Sequence, residues 1–328
     1  MSVGRSWAVV TRSGIVDYRS GWLLVGCLCC LVCDLAVAPQ PNIIGISWSV
    51  VRLSLPLMAV ALGSAIVIAV GDIDLSPAGL ISLLGVVLLV CASSGIPAWA
   101  AMVIVILIAV TVGLAHGLAV SKLGVPPLVL TLGSSFCLLG VATIVMVALQ
   151  RSASRGASST VTLVLPGSYV HSWFSMGWVW VLAPLTFISV WRHASHDGLR
   201  HLAVGSDRQA ASLAAIPVPA IRMRAFIYSS ALVSLGTLLL LHYQGGGWTA
   251  RAGLGYELKG IAAAVIGGAR ISGGSLKPIN VAFASLLLVA IESTTITASW
   301  ITAEMQGAII GALVVIAAVI DRTRTTHE

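Results

Sequence analysis

Residues 46–70 read ISWSVVRLSLPLMAVALGSAIVIAV and run directly into 71–77, GDIDLSP, after which residues 78–93 turn apolar again as AGLISLLGVVLLVCAS. As a helix the first run would rise about 37 Å, more than the ~30 Å of a bilayer's hydrocarbon layer. Its only charge is Arg52. The break at 71–77 then supplies glycine, two aspartates, a serine and a proline, the residues of a turn and a helix start. This stretch reads as one membrane hairpin, in which Asp74 caps the following helix and Pro77 opens it.

The same pattern repeats along the chain. Apolar runs lie at about 21–38, 46–70, 75–93, 98–120, 126–149, 171–191, 225–243, 258–272, 278–297 and 301–320. The eighth is short and bounded by glycine, so a re-entrant or broken helix is expected there. Composition agrees: 58% of the 328 residues are apolar and 9% charged, against roughly 25% charged in an ordinary soluble domain. A soluble enzyme, a nucleic-acid binder and a disordered segment are thereby excluded. The expected fold is an all-α polytopic membrane protein with about ten transmembrane segments and both termini cytoplasmic.

Charge orients it. With both ends inside, 13 of the 18 Lys and Arg fall on the cytoplasmic face and 5 outside, namely Arg52, Arg151, Arg155, Arg251 and Lys259. That is the bias of the positive-inside rule, and it accounts for the net charge of +7 without a nucleic-acid partner. The first segment, with Arg residues before it and Ala36-Val37-Ala38 at its end, has features of a cleaved secretory signal. Its long Cys- and Leu-rich core fits a retained anchor better.

No metal is expected. Cys27, Cys29, Cys30 and Cys33 crowd into that segment, but among Leu and Val and with no histidine nearby; they read as small residues packed within a helix. His193, His196 and His201 could suggest a metal, but His193-x-x-His196 has no third close ligand, and all three read as solvated juxtamembrane histidines. They belong to the one large polar interruption, residues 192–224, where Gln209–Ala215 has good helix formers and Pro217 and Pro219 stop them. A short cytoplasmic helix is expected there, either a passive connector or a docking element.

A search for chemistry finds little. No Lys follows Gly as in a phosphate-binding loop, so no ATPase is encoded in this chain. Proteolytic signatures are absent as well. Two Gly- and polar-broken junctions stand out: residues 71–77, with Asp72, Asp74 and Ser76, and Tyr256-Glu257-Leu258 running into Gly267–Gly274. Interrupted segments in both halves point to a substrate pathway, or are simply tight capped hairpins. Ionisable residues in or near spans are Asp34, His116, Glu292 and Glu304; the cost of burying them in lipid makes His116 and Glu292 pathway candidates. An interhelical hydrogen bond explains each equally well. Gly113/Gly117 and Gly307/Gly311 have the spacing of close helix contacts, within the subunit or between subunits.

Taken in order, four stretches resemble the permease subunit of bacterial carbohydrate ABC importers, the ribose and autoinducer-2 permease group. They are Gly71–Ser76; Pro126, Pro127 and Thr131-Leu132-Gly133; Ala203–Asp207 with Ala210, Ala211 and Ile216; and Gly255–Leu258 with Ile261-Ala262-Ala263 and the Gly267–Gly274 run. The resemblance covers nearly the whole chain as a single transmembrane permease domain, residues 1–328, in the bacterial inner membrane. It implies a second permease (the same chain or another), an ABC ATPase subunit inside and a periplasmic sugar-binding protein outside. No cofactor is implied in this chain, since ATP and Mg would sit on the ATPase. The loop around Gly205, Asp207, Ala210, Ala211 and Ile216 would dock into that ATPase.

The chain departs from the family at Asp72, usually small; at Pro77-Ala78-Gly79, usually Val-Gly; at Lys259, commonly acidic; at Asp207, usually Asn; and at Ala215, usually Gly. The competing readings are an ion-gradient-driven secondary transporter using an acid such as Glu292, an ABC permease for branched-chain amino acids or nucleosides, and a membrane scaffold that transports nothing.

Overall fold

The computed structural model describes residues 18–37, 43–154, 195–244 and 247–297, with isolated positions between 185 and 191 and between 305 and 315. All regular structure among them is helical: α1 Tyr18–Val37, α2 Ile43–Ala69, α3 Pro77–Ser93, α4 Ala98–Lys122, α5 Pro127–Ser154, α6 His196–Ser206, α7 Arg208–Leu213, α8 Val218–Tyr243, α9 Tyr256–Ile266 and α10 Pro278–Thr297. Five of these are long and apolar enough to cross a membrane: α2, α4, α5, α8 and α10. The segments expected at 171–191 and 301–320 fall largely outside the described residues, as do Glu304, Gly307 and the Asp34 side chain.

The hub is α2, which packs against α8, α9 and α10. In its apolar span 78% of positions are buried, against 22% in α4 and 17% in α5. An all-round apolar helix is stable only inside a bundle or in lipid, and this chain uses both solutions. Around α2, Leu57, Leu62, Ile66 and Ile68 form a core with Ile221 and Phe226 of α8 and Leu288 of α10. On the periphery, α4 and α5 turn Leu107, Val129, Phe136 and Ile144 outward. Only lipid or another apolar subunit tolerates such a surface.

The first helix is integrated into this body. Leu23 and Cys27 are buried, Gly26 faces Leu287 of α10, and Thr294 donates to the Cys30 carbonyl at 3.4 Å. The four cysteines of α1 are free thiols, and no metal-ligating group occurs among the described residues.

The eighth segment is broken. α9 has 11 residues, about 16 Å of rise, half of what a bilayer requires. Residues 247–255 complete it by lying against α3: Gly253 N–H donates to Ser82 Oγ at 3.2 Å, and the Trp248 indole donates to the Ser82 carbonyl at 3.4 Å. Gly85 leaves room for the Trp248 ring, and Gly253 meets the Ala78 carbonyl. A side chain at either glycine would push this segment off α3. The backbone polar groups of a non-helical stretch at this depth are tolerated because they are covered by protein.

Candidate functional site

The sequence junction at 71–77 is where most of the expected site residues meet. α2 ends as Gly71 takes a left-handed φ of +76°, a conformation glycine adopts without strain. Asp74, 2% exposed, accepts from Ser76 N–H at 2.9 Å and from Ser229 Oγ of α8 at 3.3 Å. Asp74 thus does not cap α3 as expected: the N-cap is Ser76, which makes no side-chain cap bond and whose hydroxyl has no partner, and Asp74 instead holds the turn just before the helix.

The neighbouring motif explains itself at the same place. Thr131 Oγ1 accepts from Leu75 N–H at 3.0 Å, and Ser135 Oγ accepts from Gly79 N–H at 3.1 Å. These bonds satisfy helix-start N–H groups that have no partner within α3 and staple α5 to the hairpin. His116 is buried on α4, edge-on to Phe226 of α8. Gly113 and Gly117 bring α4 onto the backbone of α8 at Phe226 and Met223. Of the two readings left open for that glycine pair, packing within the subunit is the one realised.

Asp72 carries the strongest interaction. It is 3% exposed, and its carboxylate receives two hydrogen bonds of 2.8 Å from Arg222, Nε to Oδ2 and Nη2 to Oδ1. Arg208 Nη2 adds one at 2.9 Å to Oδ1 and also reaches the carbonyls of Val70 at 3.1 Å and Gly71 at 3.0 Å. Arg208 opens α7 and Arg222 lies in the first turns of α8, so one carboxylate ties the middle and the C-terminal end of the polar loop to the α2–α3 hairpin. Sequence reasoning had Arg208 and Arg222 only as inside-face charges. The available signal was Asp72 itself, an acid at the end of an otherwise apolar span.

The polar loop sits on this junction. Gly205, in the last turn of α6, is buried against the Ala69 carbonyl, the Gly274 amide and the backbone of Gly273, with no room for a Cβ. Gly274 N–H donates to the Ala69 carbonyl at 2.9 Å. Three backbones, from α2, from α6 and from the Gly267–Gly274 run, thus converge within hydrogen-bonding distance. Next, Asp207 caps α7, accepting from Gln209 N–H at 2.8 Å and Ala210 N–H at 3.0 Å. Ala211 is buried, whereas Ala210 and Leu213 are exposed, Leu213 by 90%. Ala215 adopts φ +57°, a left-handed conformation that glycine takes without strain. Ile216 is half-buried and its N–H closes the turn onto the Ala211 carbonyl at 3.0 Å.

The histidine reading needs correction at one position. His196 is exposed, but His201 is 1% exposed. Its ring stacks on Tyr228 and meets Trp191 edge-on, while Nδ1 lies 2.8 Å from the Asp197 carbonyl. Arg224 pairs with Asp197 at 2.6 Å. Burial pushes the His201 pKa below 6.5, partly opposed by Asp197. It packs rather than being solvated, and His193 lies outside the described residues.

In the C-terminal half, Glu257 sits in the first turn of α9, half-buried. Glu292 of α10 pairs with Lys259 of α9, Nζ lying 2.8 and 2.9 Å from its two carboxylate oxygens. Lys259, counted above with the outer charges, lies in the first turns of α9. The two opposite charges therefore compensate each other across α9 and α10.

Comparison with known proteins converges on the same class. The sequence profile of the branched-chain amino acid transport system / permease component family matches residues 47–318. A probable ABC transporter permease protein of Sinorhizobium fredii (strain NBRC 101917 / NGR234) is 30% identical over 96% of this chain and 93% of its own. The fructose import permease protein of Bifidobacterium longum (strain NCC 2705) is 26% identical, covering 81% and 79%. The autoinducer 2 import system permease protein of Photorhabdus laumondii is 28% identical, covering 82% and 80%. No solved structure matches the chain. With its apolar helices, its short α9 and its clasped polar loop, the chain belongs to this family of ABC transporter permease components and is a multi-pass protein of the inner membrane.

Proposed function

We propose that this permease subunit imports a sugar or sugar-like small molecule across the bacterial inner membrane, driven by a separate ATPase and fed by a periplasmic binding protein. The observation that carries the coupling is the α6–α7 segment. A short capped helix offers Ala210 and Leu213 to an outside partner while its base is fixed to α2 through Gly205 and Arg208. A lever that docks on one side and is rigid on the other is what transmission of ATP-driven closure requires. In this reading Gly205, Asp207, Ala210, Ala211 and Ile216 form the coupling loop, within about 192–224 of a single domain, on the cytoplasmic face. ATP and Mg belong to the ATPase.

The sugar class rests on relatives whose names specify fructose and autoinducer 2 import; the family's own description names branched-chain amino acids. About ten segments, with α9 as a half-span and both termini cytoplasmic, is the topology that fits. A second permease, identical or not, would cover part of the exposed apolar surface and enclose the pathway. Asp72, Asp74, Ser76, His116, Glu257 and Glu292 were pathway or junction candidates. Asp72, Asp74 and Ser76 serve the junction in this reading, with His116 in the packed core beside it.

The test is a gentle-detergent pull-down of the tagged chain from its native membranes with mass spectrometry, followed by uptake of radiolabelled fructose, ribose or leucine into proteoliposomes. A stoichiometric partner with phosphate-binding motifs and ATP-dependent hexose or pentose uptake are expected. Uptake that needs an ion gradient but no ATPase would overturn the proposal, and leucine uptake would overturn its sugar class.

A further inference from the structure

Asp72 is a buried acid, and the structure gives it two partners from two different elements. Arg208 approaches from the start of α7 and Arg222 from the start of α8. Its carboxylate is 2% exposed, and the two guanidinium side chains 43% and 16%. A carboxylate withdrawn from water in this way is stable only when fully paired, and a planar guanidinium satisfies both its oxygens at once. Here the pairing spans more than 130 residues of sequence and joins the starts of α7 and α8 to the junction at the end of α2. Arg208 is additionally anchored on the Val70 and Gly71 carbonyls at the end of α2.

We propose that Asp72 is a positioning residue for coupling, a clasp that locks the docking helix α7 and the start of α8 to the hub helix α2 so that all three move as one. The proposal rests on the reading of α6–α7 as the coupling loop. Without the carboxylate, Arg208 keeps only its carbonyl contacts, so α7 is held less firmly, and α8 is no longer tied to α2 through the same anion. A push on α7 then spends itself in local displacement. The two arginines, facing one another with no anion between them, also repel.

The test uses the full chain in lipid nanodiscs and three forms, wild type, Asp72→Asn and Asp72→Glu. Hydrogen exchange at amides 206–216 is measured first, on the permease alone. Asp72→Asn is expected to speed exchange there at least tenfold, with residues 78–93 of α3 unchanged, and Asp72→Glu to recover most of the protection. The same forms are then assembled with the co-purifying ATPase. Asp72→Asn is expected to retain ATPase capture and basal hydrolysis while losing at least tenfold of substrate-linked stimulation, with rescue by Asp72→Glu. Exchange in Asp72→Asn equal to wild type would overturn the clasp, as would undiminished stimulation. If the wild-type chain captures no ATPase, the coupling-loop reading fails, while the exchange comparison still decides whether Asp72 holds α7.

Discussion

Replacing Gly205 by alanine is the sharpest test of the three-backbone junction. A methyl group there would fall on the Ala69 carbonyl oxygen and 2.5 Å from the Gly274 amide nitrogen, where real contacts begin near 3.4 Å. The obstructing atoms are backbone and are hydrogen-bonded to each other at 2.9 Å, so no side chain can swing aside. Overpacking of this kind costs about 1–3 kcal/mol. Losing the Gly274–Ala69 hydrogen bond adds about 1 kcal/mol, and alanine's better helix propensity returns about 1 kcal/mol. The expected net loss is about 1–3 kcal/mol. Gly133 is the matched control: it is helical in α5 and has nothing within 4 Å of a built Cβ, so Gly133→Ala should be neutral or stabilising. Tryptophan-fluorescence melts of both variants in the same detergent read the difference directly. Equal Tm values for Gly205→Ala and Gly133→Ala would refute the close convergence of α2, α6 and the Gly267–Gly274 run. The structure also changes what a bulky residue at Gly205 would report. It faces inward, so such a variant disturbs the base of the lever rather than its docking surface.

Ala215 holds φ +57°, which costs an L-residue about 1–2 kcal/mol; Ala215→Gly should stabilise by about 0.5–1 kcal/mol after the greater unfolded-state freedom of glycine, seen as a higher Tm. Lys259→Ala should lower the yield of folded protein by leaving Glu292 uncompensated, whereas the double change to Lys259→Met with Glu292→Met should recover most of it; size-exclusion profiles of the three forms check this, and a double variant as poor as the single would refute the pairing. His201 is held below a pKa of 6.5 by burial among Trp191, Tyr228 and the Asp197–Arg224 pair. The fold thus favours its neutral form, and this contribution is intact above about pH 6.5 and lost as pH falls below it. Melts between pH 7.5 and 5 should show a decline that His201→Gln reduces.

The coupling loop's cap illustrates what could be read locally. Asp207 followed by Gln209-Ala210 is a helix start in any context, because an N-cap needs only a side-chain oxygen within two residues of free N–H groups. The hairpin at 71–77 was legible for the same reason, as was the short eighth segment, whose glycines and 11-residue helix leave too little length to cross. The family-like motifs, by contrast, were visible as words without meaning. That Thr131 serves Leu75, that Ser135 serves Gly79 and that the Gly267–Gly274 run makes room for Gly205 follows only from where α5, α6 and the run are brought together.

The sequence alone determined that the chain lies in a membrane, because a chain with 58% apolar and 9% charged residues cannot cover itself with water-compatible surface, and that conclusion needs no pairing of distant parts. It also determined where the polar loop and the helix at Gln209–Ala215 lie, through helix formers and the prolines that stop them, although α6 before it was not foreseen. Only the tertiary structure decided which charges are spent on one another. Asp72 with Arg208 and Arg222, Glu292 with Lys259, and Gly113 and Gly117 against α8 are all encounters between helices whose rotation and depth are fixed by packing. In spans that are apolar on every side, hydrophobic periodicity no longer says which face turns inward, so the partner of a buried charge is set by the bundle and not by its neighbours in sequence.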